Sequence, residues 1–206
     1  PAFTDPEIKR AALAGVILRM LSLKLGALEH FPFIDMPDSR AINDGWQTLS
    51  ELAAIDSRRQ LSAIGKQMAR LPIDVKLARM LVAADQHNVI QELIAICSFM
   101  GITDPRERPV DAKEAADAAH RVFSDSQSEF LGVIHLWSTY RQMHEELSQT
   151  QLRKWCDRNF LSFMRMREWR ELHRQLLITC QELKWAVPAW SEIEIRLKDG
   201  NTDAKE

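Results

Sequence analysis

The sequence predicts a mainly α-helical fold. Only seven glycines and eight prolines interrupt its 206 residues, while Leu, Ala, Met, Arg, Glu and Gln are abundant, and these residues favour helices. Apolar residues recur every three or four positions over most of the chain, which is the period of an amphipathic helix. At 46% hydrophobic and 27% charged residues, the composition is that of a folded chain of one domain or two small ones.

The first helix is predicted to begin at Asp5, where an N-cap residue precedes Pro6 at the first helical position, and to end at Gly26. The segment 31–38 contains two prolines and is not expected to be helix interior. A helical pattern resumes over residues 41–55. The chain therefore opens with two helices joined by a proline-containing segment.

A short extended pair is predicted around residues 54–56 and 60–62, followed by a helix over 63–71. Two helices, a two-stranded wing and a further helix are the element order of a small winged-helix unit. Pro72 disfavours helix just before it, and Asp74 can cap the helix that follows. We therefore expect a winged-helix domain over residues 1–73.

A helical bundle is expected over residues 74–190. Its predicted helices cover residues 75–85, 89–100, 112–123, 128–147, 149–159 and 160–185. The remaining residues, 191–206, are mostly polar and are expected to form a loose tail. No period of 20 to 50 residues repeats, so an array of repeats is disfavoured.

The distribution of charge is more informative than its total. The net charge is only −2, which removes the argument for nucleic-acid binding that a strongly basic chain would give. Residues 148–185, however, carry eight basic and four acidic side chains. Any nucleic-acid surface would therefore be local and would lie in this segment.

Helical geometry sorts the side chains of this segment. Arg167, Arg170 and Arg174 share the side of a helix opposite to an apolar face. The preceding stretch mixes cations with Trp155 and Asn159, a combination that can hold a phosphate backbone and touch bases. The alternative is a solvated face on which Glu168 and Glu171 balance the arginines.

Several kinds of site lack support in the sequence. No GxxxxGK[ST] loop for nucleotide phosphates and no HExxH or clustered histidine set for a metal is present, so no catalytic, cofactor or metal residues are predicted. The longest apolar run, residues 11–18, is too short to span a membrane. Three widely spaced cysteines are typical of reduced, buried thiols in a cytoplasmic protein, namely Cys97, Cys156 and Cys180.

Several motifs occur in a fixed order over residues 1–180. They are FTDPEIKR at 3–10, FPFIDMP at 31–37, LSAIGKQMA at 61–69, LPID at 71–74, LARML at 77–81, DPRERP at 104–109 and WCDRNFL at 155–161. Together they resemble the region that follows the second RecA-like domain in DEAH-box ATP-dependent RNA helicases. The sequences of these motifs are most similar to those of the bacterial HrpA-type subgroup of that family.

The resemblance implies a winged-helix domain followed by a ratchet-like helical bundle, the helicase-associated region of such an enzyme. In the family these domains close a channel through which two RecA-like domains draw single-stranded RNA in the 3′ to 5′ direction. ATP and Mg²⁺ bind the RecA-like core, whose motifs this sequence lacks. The chain is therefore expected to be an accessory region that does not hydrolyse ATP by itself.

The resemblance and the charge pattern together give the expected RNA-binding residues: Ser148, Arg153, Lys154, Arg158, Asn159, Arg167 and Arg170. Trp155 and Cys156 are expected to pack in the core. The expected partners are single-stranded RNA, the RecA-like domains of the same polypeptide, and ribosome-associated RNA or protein, with no membrane. The competing hypothesis is a helical protein-interaction module that makes no direct RNA contact.

Overall fold

The fold is mainly α-helical, as predicted. The computed structural model describes residues 7–26, 31 and 37–194, with side chains from residue 13 onward. The helices of this part are α1 (Glu7–Leu23), α2 (Ser39–Glu51), α3 (Ala63–Met68), α4 (Val75–Gln86), α5 (Ile90–Met100), α6 (Lys113–Arg121), α7 (Glu129–Glu146), α8 (Gln149–Arg158) and α9 (Phe163–Glu182). A 3-10 helix, Val110–Ala112, precedes α6.

The chain divides by packing into two compact units, Pro1–Gln86 and His87–Glu206. Helix α4 belongs to the first unit because it packs against α3 and α1. This division lies one helix later than the domain boundary predicted after Ile73. The start of the first predicted helix, Asp5 and Pro6, and most of the segment 31–38 lie outside the described residues.

In the first unit, α1 and α2 pack closely because Gly45 has no side chain. A Cβ atom at Gly45 would lie 2.8 Å from the Cδ1 atom of Ile17, which is 1% exposed. Leu49, one turn after Gly45, is completely buried. The small residue therefore lets two apolar helix faces approach each other.

The predicted extended pair is present as a single antiparallel bridge between Ile55 and Leu61. Helix α2 ends at Glu51, earlier than the pattern indicated, because Ala53 adopts the left-handed conformation with φ 54°. The Ser62 hydroxyl donates to the carbonyl oxygen of Ala53 (2.6 Å) and accepts from the amide of Gly65 (2.9 Å). One N-cap residue thus joins the wing to the start of α3.

Aromatic residues dominate the core of the second unit. Trp137 on α7 packs against Trp169 and His173 on α9, with ring centroids 4.8 and 4.3 Å apart. The indole N–H of Trp169 donates to the Ala95 carbonyl and to the Ser98 hydroxyl, both at 3.0 Å. These buried hydrogen bonds fix α9 against α5.

The helix predicted over 160–185 begins at Phe163 instead, so this part of the prediction is wrong. Phe160 has φ 51°, a conformation that breaks a helix. Leu161 then forms an antiparallel bridge with Arg106, and the amide of Ser162 donates to the Pro105 carbonyl at 2.8 Å. Backbone pairing with a distant loop therefore takes the place of the first helical turn.

The first residues of the loose tail predicted over 191–206 are helical in the structure. Residues 190–194 are helical, and Ile193 is completely buried in the core of the second unit. The Ser138 hydroxyl on α7 donates to Glu194 at 2.9 Å. Residues 195–206 lie outside the described residues.

No helix in the described ranges is both long and apolar enough to cross a membrane. Nor do His, Cys, Asp and Glu side chains there come together in groups of three that could hold a metal ion.

Candidate nucleic-acid interface

Helix α8 separates its apolar and basic side chains cleanly. Leu152 and Cys156 are buried in the core of the second unit. Arg153, Lys154 and Arg158 are exposed on the other side of the same helix. Because residues three and four apart on a helix are neighbours, α8 presents a short basic strip.

Arg153 on α8 and Arg167 on α9 converge on the ring of Phe163. Their guanidinium carbons lie 4.9 and 5.9 Å from the ring centroid. Phe163 is only 7% exposed, whereas both arginines are exposed. An aromatic face attracts a cation, so the ring holds both guanidinium groups at the surface without neutralising them. We call Arg153, Phe163 and Arg167 the basic cluster.

The two arginines of the basic cluster form no ion pair with the described residues, unlike several other arginines of the second unit. Arg174 binds Glu171 at 2.7 Å, and Arg141 binds Glu145 at 3.5 Å. By contrast, a group of five cations forms no ion pair within the described ranges: Arg153, Lys154, Arg158, Arg167 and Arg170. Glu171 thus pairs with Arg174, and no carboxylate of the described residues lies within ion-pair distance of Arg167 or Arg170. The five cations that the sequence predicted to bind RNA are therefore available to an external anion.

The arginines of α9 also influence the end of α7. Burial raises the pKa of Tyr140 to about 12, and the positive charges of Arg170 and Arg167 act in the opposite direction. Burial lowers the pKa of His144, and Arg170 lowers it further. The positive charge of Arg170 therefore acts as far as the last turn of α7, where it disfavours protonation of His144 while Glu145 acts in the opposite direction.

Ser148 and Asn159 occupy the two ends of α8. The Ser148 hydroxyl caps the helix, accepting from the Gln151 amide at 3.4 Å, while the Gln151 side chain accepts from the Ser148 amide at 3.0 Å. Asn159 is the C-cap, and its Nδ2 donates to the Trp155 carbonyl at 2.8 Å. A ten-residue helix separates the two by about 15 Å. Their expected RNA contacts remain a prediction.

The WCDRNFL motif has a structural explanation at several of its positions. Cys156 is completely buried, and burial raises the pKa of its thiol to about 12. Trp155 is half-buried and packs edge-on against Phe123, with centroids 6.3 Å apart. Leu161 is 2% exposed. Trp155 and Cys156 therefore pack in the core, as predicted.

Sequence reasoning missed Phe163 and His144. Arg153 lies on α8, whereas Phe163 is the first residue of α9. The helical period of either element therefore does not indicate that the two side chains are in contact. His144 lies on α7, outside the segment with the basic excess. The tight connection between α8 and α9 was the one available signal, because short connections place consecutive helices side by side.

Comparison with known proteins gives two family-model matches. The winged-helix part of the helicase-associated domain (HA2) matches residues 45–73, and the ratchet-like part of the same domain matches residues 74–172. The second range includes all seven residues expected to contact RNA.

The chain is also similar to three curated helicases. It is 41% identical to the ATP-dependent RNA helicase HrpA homolog of Haemophilus influenzae over 89% of its length, and 42% identical to the ATP-dependent RNA helicase HrpA of Escherichia coli over 97%. It is 29% identical over 82% of its length to the human probable ATP-dependent RNA helicase DHX34. The chain spans 15%, 16% and 15% of these relatives, respectively.

Proposed function

Because this chain belongs to the helicase-associated (HA2) family, with a winged-helix part followed by a ratchet-like part, we propose that it is the accessory region of an ATP-dependent RNA helicase. The names of its HrpA and DHX34 relatives support this assignment. On this proposal, ATP and Mg²⁺ bind RecA-like domains of the same polypeptide, the protein works in the cytoplasm, and the chain alone hydrolyses no ATP.

Within that region, the basic cluster contacts the phosphates of single-stranded RNA. The observation that carries this proposal is the set of exposed cations on α8 and α9 that form no ion pair with the described residues, two of which are held over one buried ring. Guanidinium groups bind phosphate oxygens with two parallel hydrogen bonds. Arg153 and Arg167 would thereby line one wall of the RNA channel, through which the helicase moves in the 3′ to 5′ direction.

Fluorescence anisotropy of a labelled single-stranded RNA tests this contact. An Arg153→Gln, Arg167→Gln double variant removes both charges of the basic cluster. If each arginine holds one phosphate, the slope of log affinity against log salt becomes shallower by about 1.4 for a single strand. The matching RNA duplex is expected to bind more weakly than the single strand.

Arg174→Gln is the matched control. Arg174 lies on the same exposed helix, but Glu171 already neutralises it, so its loss is expected to leave the salt slope unchanged. If the double variant keeps the affinity and slope of the unmodified chain, the RNA contact is wrong. The competing function, a protein-interaction module, would then be favoured.

ATP hydrolysis is tested by phosphate release from this chain with and without RNA. No release above background is expected, since the sequence has no phosphate-binding GxxxxGK[ST] loop. RNA-stimulated release by the chain alone would contradict the accessory role.

A further inference from the structure

A cavity of about 400 Å³ lies between the end of α5, the end of α6 and the start of α7. Its apolar lining comes from Phe99, Phe123, Val133 and Leu136, and the last three are at most 6% exposed. This volume lies in the range of sites that take a small molecule or a side chain of another protein. None of the residues proposed to contact RNA lines it.

Hydrogen bonds within the turn between α6 and α7 hold one wall of the cavity in place. Oδ1 of Asp125 accepts from the amides of Gln127 (2.8 Å) and Ser128 (3.0 Å), which fixes the turn between α6 and α7. This turn passes so close to α7 that a Cβ atom at Gly132 would lie 3.1 Å from the Phe123 carbonyl oxygen. The cavity is therefore largely pre-formed.

The charges around the cavity leave a negative excess. Arg106 binds Asp104 at 2.7 Å and Glu129 at 3.2 Å, and Arg108 binds Asp117 at 2.7 Å. Arg106 thus divides its single charge between two carboxylates, while Arg108 is paired with Asp117. The lining itself carries three carboxylates against two arginines, namely Asp117, Asp125 and Glu129 against Arg106 and Arg121, an excess of one negative charge. A cation is therefore favoured here, and a phosphate is disfavoured.

Large apolar side chains are exposed next to the lining residues in the chain. Met100 follows Phe99 and is 48% exposed, Val122 precedes Phe123 and is 78% exposed, and Phe130 follows Glu129 and is 49% exposed. None of the three lines the cavity, but they add exposed apolar surface to the segments that form its wall, and exposed apolar surface is typical of protein-binding sites. They favour a polypeptide over a small polar metabolite.

We propose that this cavity binds an apolar side chain of a partner protein whose neighbouring residue is an arginine or lysine. The apolar side chain packs against Phe123, Val133 and Leu136. The cation is held by Asp125 and Glu129, each of which retains one carboxylate oxygen that accepts no hydrogen bond from the described residues. This surface is separate from the basic cluster and does not depend on the proposed RNA contact.

The test uses the full chain labelled with ¹⁵N and three small probes. N-acetyl-Phe-Arg-amide is expected to cause saturable shifts of the amide signals of Ser124, Gly132 and Val133. N-acetyl-Phe-Glu-amide is expected to bind about tenfold more weakly, because two surface charges each contribute up to about 1 kcal/mol. Guanosine monophosphate serves as the nucleotide probe and is expected not to compete.

The Asp125→Asn, Glu129→Gln double variant removes both charges and keeps the oxygen atoms that accept hydrogen bonds from Gln127, Ser128 and Arg106. It is expected to bind the arginine probe about tenfold more weakly and to lose the preference over the glutamate probe. Glu168→Gln, which removes an exposed carboxylate from α9, is the control and should change neither affinity.

Three outcomes would overturn the proposal. Equal binding of the two dipeptides would show that the carboxylates play no part. Tighter binding of guanosine monophosphate at the same amides would make the cavity a nucleotide site. Shifts that spread over the surface without saturating would show that the cavity binds no peptide.

Discussion

Gly65 lies where α3 passes directly against the backbone of the wing. A Cβ atom at this position would overlap the carbonyl oxygen of Ala54, a backbone atom that cannot rotate away. We expect Gly65→Ala to lower the free energy of unfolding by about 1–3 kcal/mol, the usual cost of overpacking. Urea unfolding followed by circular dichroism measures the change.

Gly15→Ala is the matched control for this prediction. A Cβ atom at Gly15, within α1, would lie 4.0 Å from the nearest Val75 atom, an ordinary contact. Alanine is the better helix former, so this variant should be unchanged or up to about 1 kcal/mol more stable. Equal destabilisation by both substitutions would show that the wing contact does not set the requirement at Gly65.

His173 makes the stability of the second unit depend on pH. Burial lowers the pKa of His173 from its ordinary 6.5 to about 3, with a smaller contribution from Arg141. Protonation therefore favours the unfolded chain, so stability is complete above pH 6.5 and decreases as the pH falls toward 3. Between pH 6.5 and 5 the expected loss is about 2 kcal/mol.

His173→Phe removes the titrating group and keeps an aromatic ring against Trp137. The unfolding free energy of the original chain minus that of this variant should therefore fall by about 2 kcal/mol as the pH is lowered from 6.5 to 5. A difference that stays constant from pH 6.5 to 5 would contradict the assigned pKa.

At the scale of single elements, two substitutions distinguish the role of Ser148 as the N-cap of α8 from its expected contact with RNA. Ser148→Ala removes the N-cap of α8 and should cost about 1 kcal/mol of stability. Ser148→Asp keeps a capping oxygen and adds a negative charge. If Ser148 approaches RNA, the aspartate variant should stay stable but bind single-stranded RNA more weakly in the anisotropy assay.

Unchanged RNA affinity of the Ser148→Asp variant would leave Ser148 with a capping role alone. A loss of stability as large as that of Ser148→Ala would instead show that the capping box depends on the hydroxyl group itself.

The elements themselves were largely predictable from the sequence. Periodic apolar residues place α4 to α9 to within a few residues, because each helix buries one face. The break at Phe160 was not predictable, because phenylalanine has no local preference for positive φ and the conformation depends on pairing with the loop around Arg106. Tertiary contacts decided this boundary.

The contacts of the basic cluster could likewise not be predicted from the sequence. Spacing placed Arg167, Arg170 and Arg174 on one side of α9, but it could not tell which of them Glu171 binds. Nor could it place Phe163 beneath Arg153, since that contact joins two different helices. Contacts between side chains of different helices depend on how the helices pack, and the helical period of either one does not predict them.

At the scale of the whole molecule, the position of α4 predicts how fragments behave. Ala78, Leu81 and Val82 are buried in the first unit, where α4 packs against α1 and α3. A fragment that starts at residue 74 would expose this apolar face, whereas one that starts at residue 87 would not. We expect only the longer fragment to self-associate in analytical ultracentrifugation.

Substituting two of these α4 residues in the longer fragment, Leu81→Gln and Val82→Gln, should restore the monomer. A longer fragment that is monomeric without these changes, together with a shorter one that aggregates, would place the functional boundary before α4.

We expect the pairing of residues 105–107 with 160–162 to set when the basic cluster can form. The two segments lie far apart in the chain, and closing so long a loop is slow compared with forming any single helix. A ten-residue helix such as α8 is marginal in isolation, so during synthesis we expect Phe163 and Arg167 to take up their positions only after the earlier loop has docked. We therefore expect Arg153 and Arg167 to come together over Phe163 late, after most of the second unit has left the ribosome.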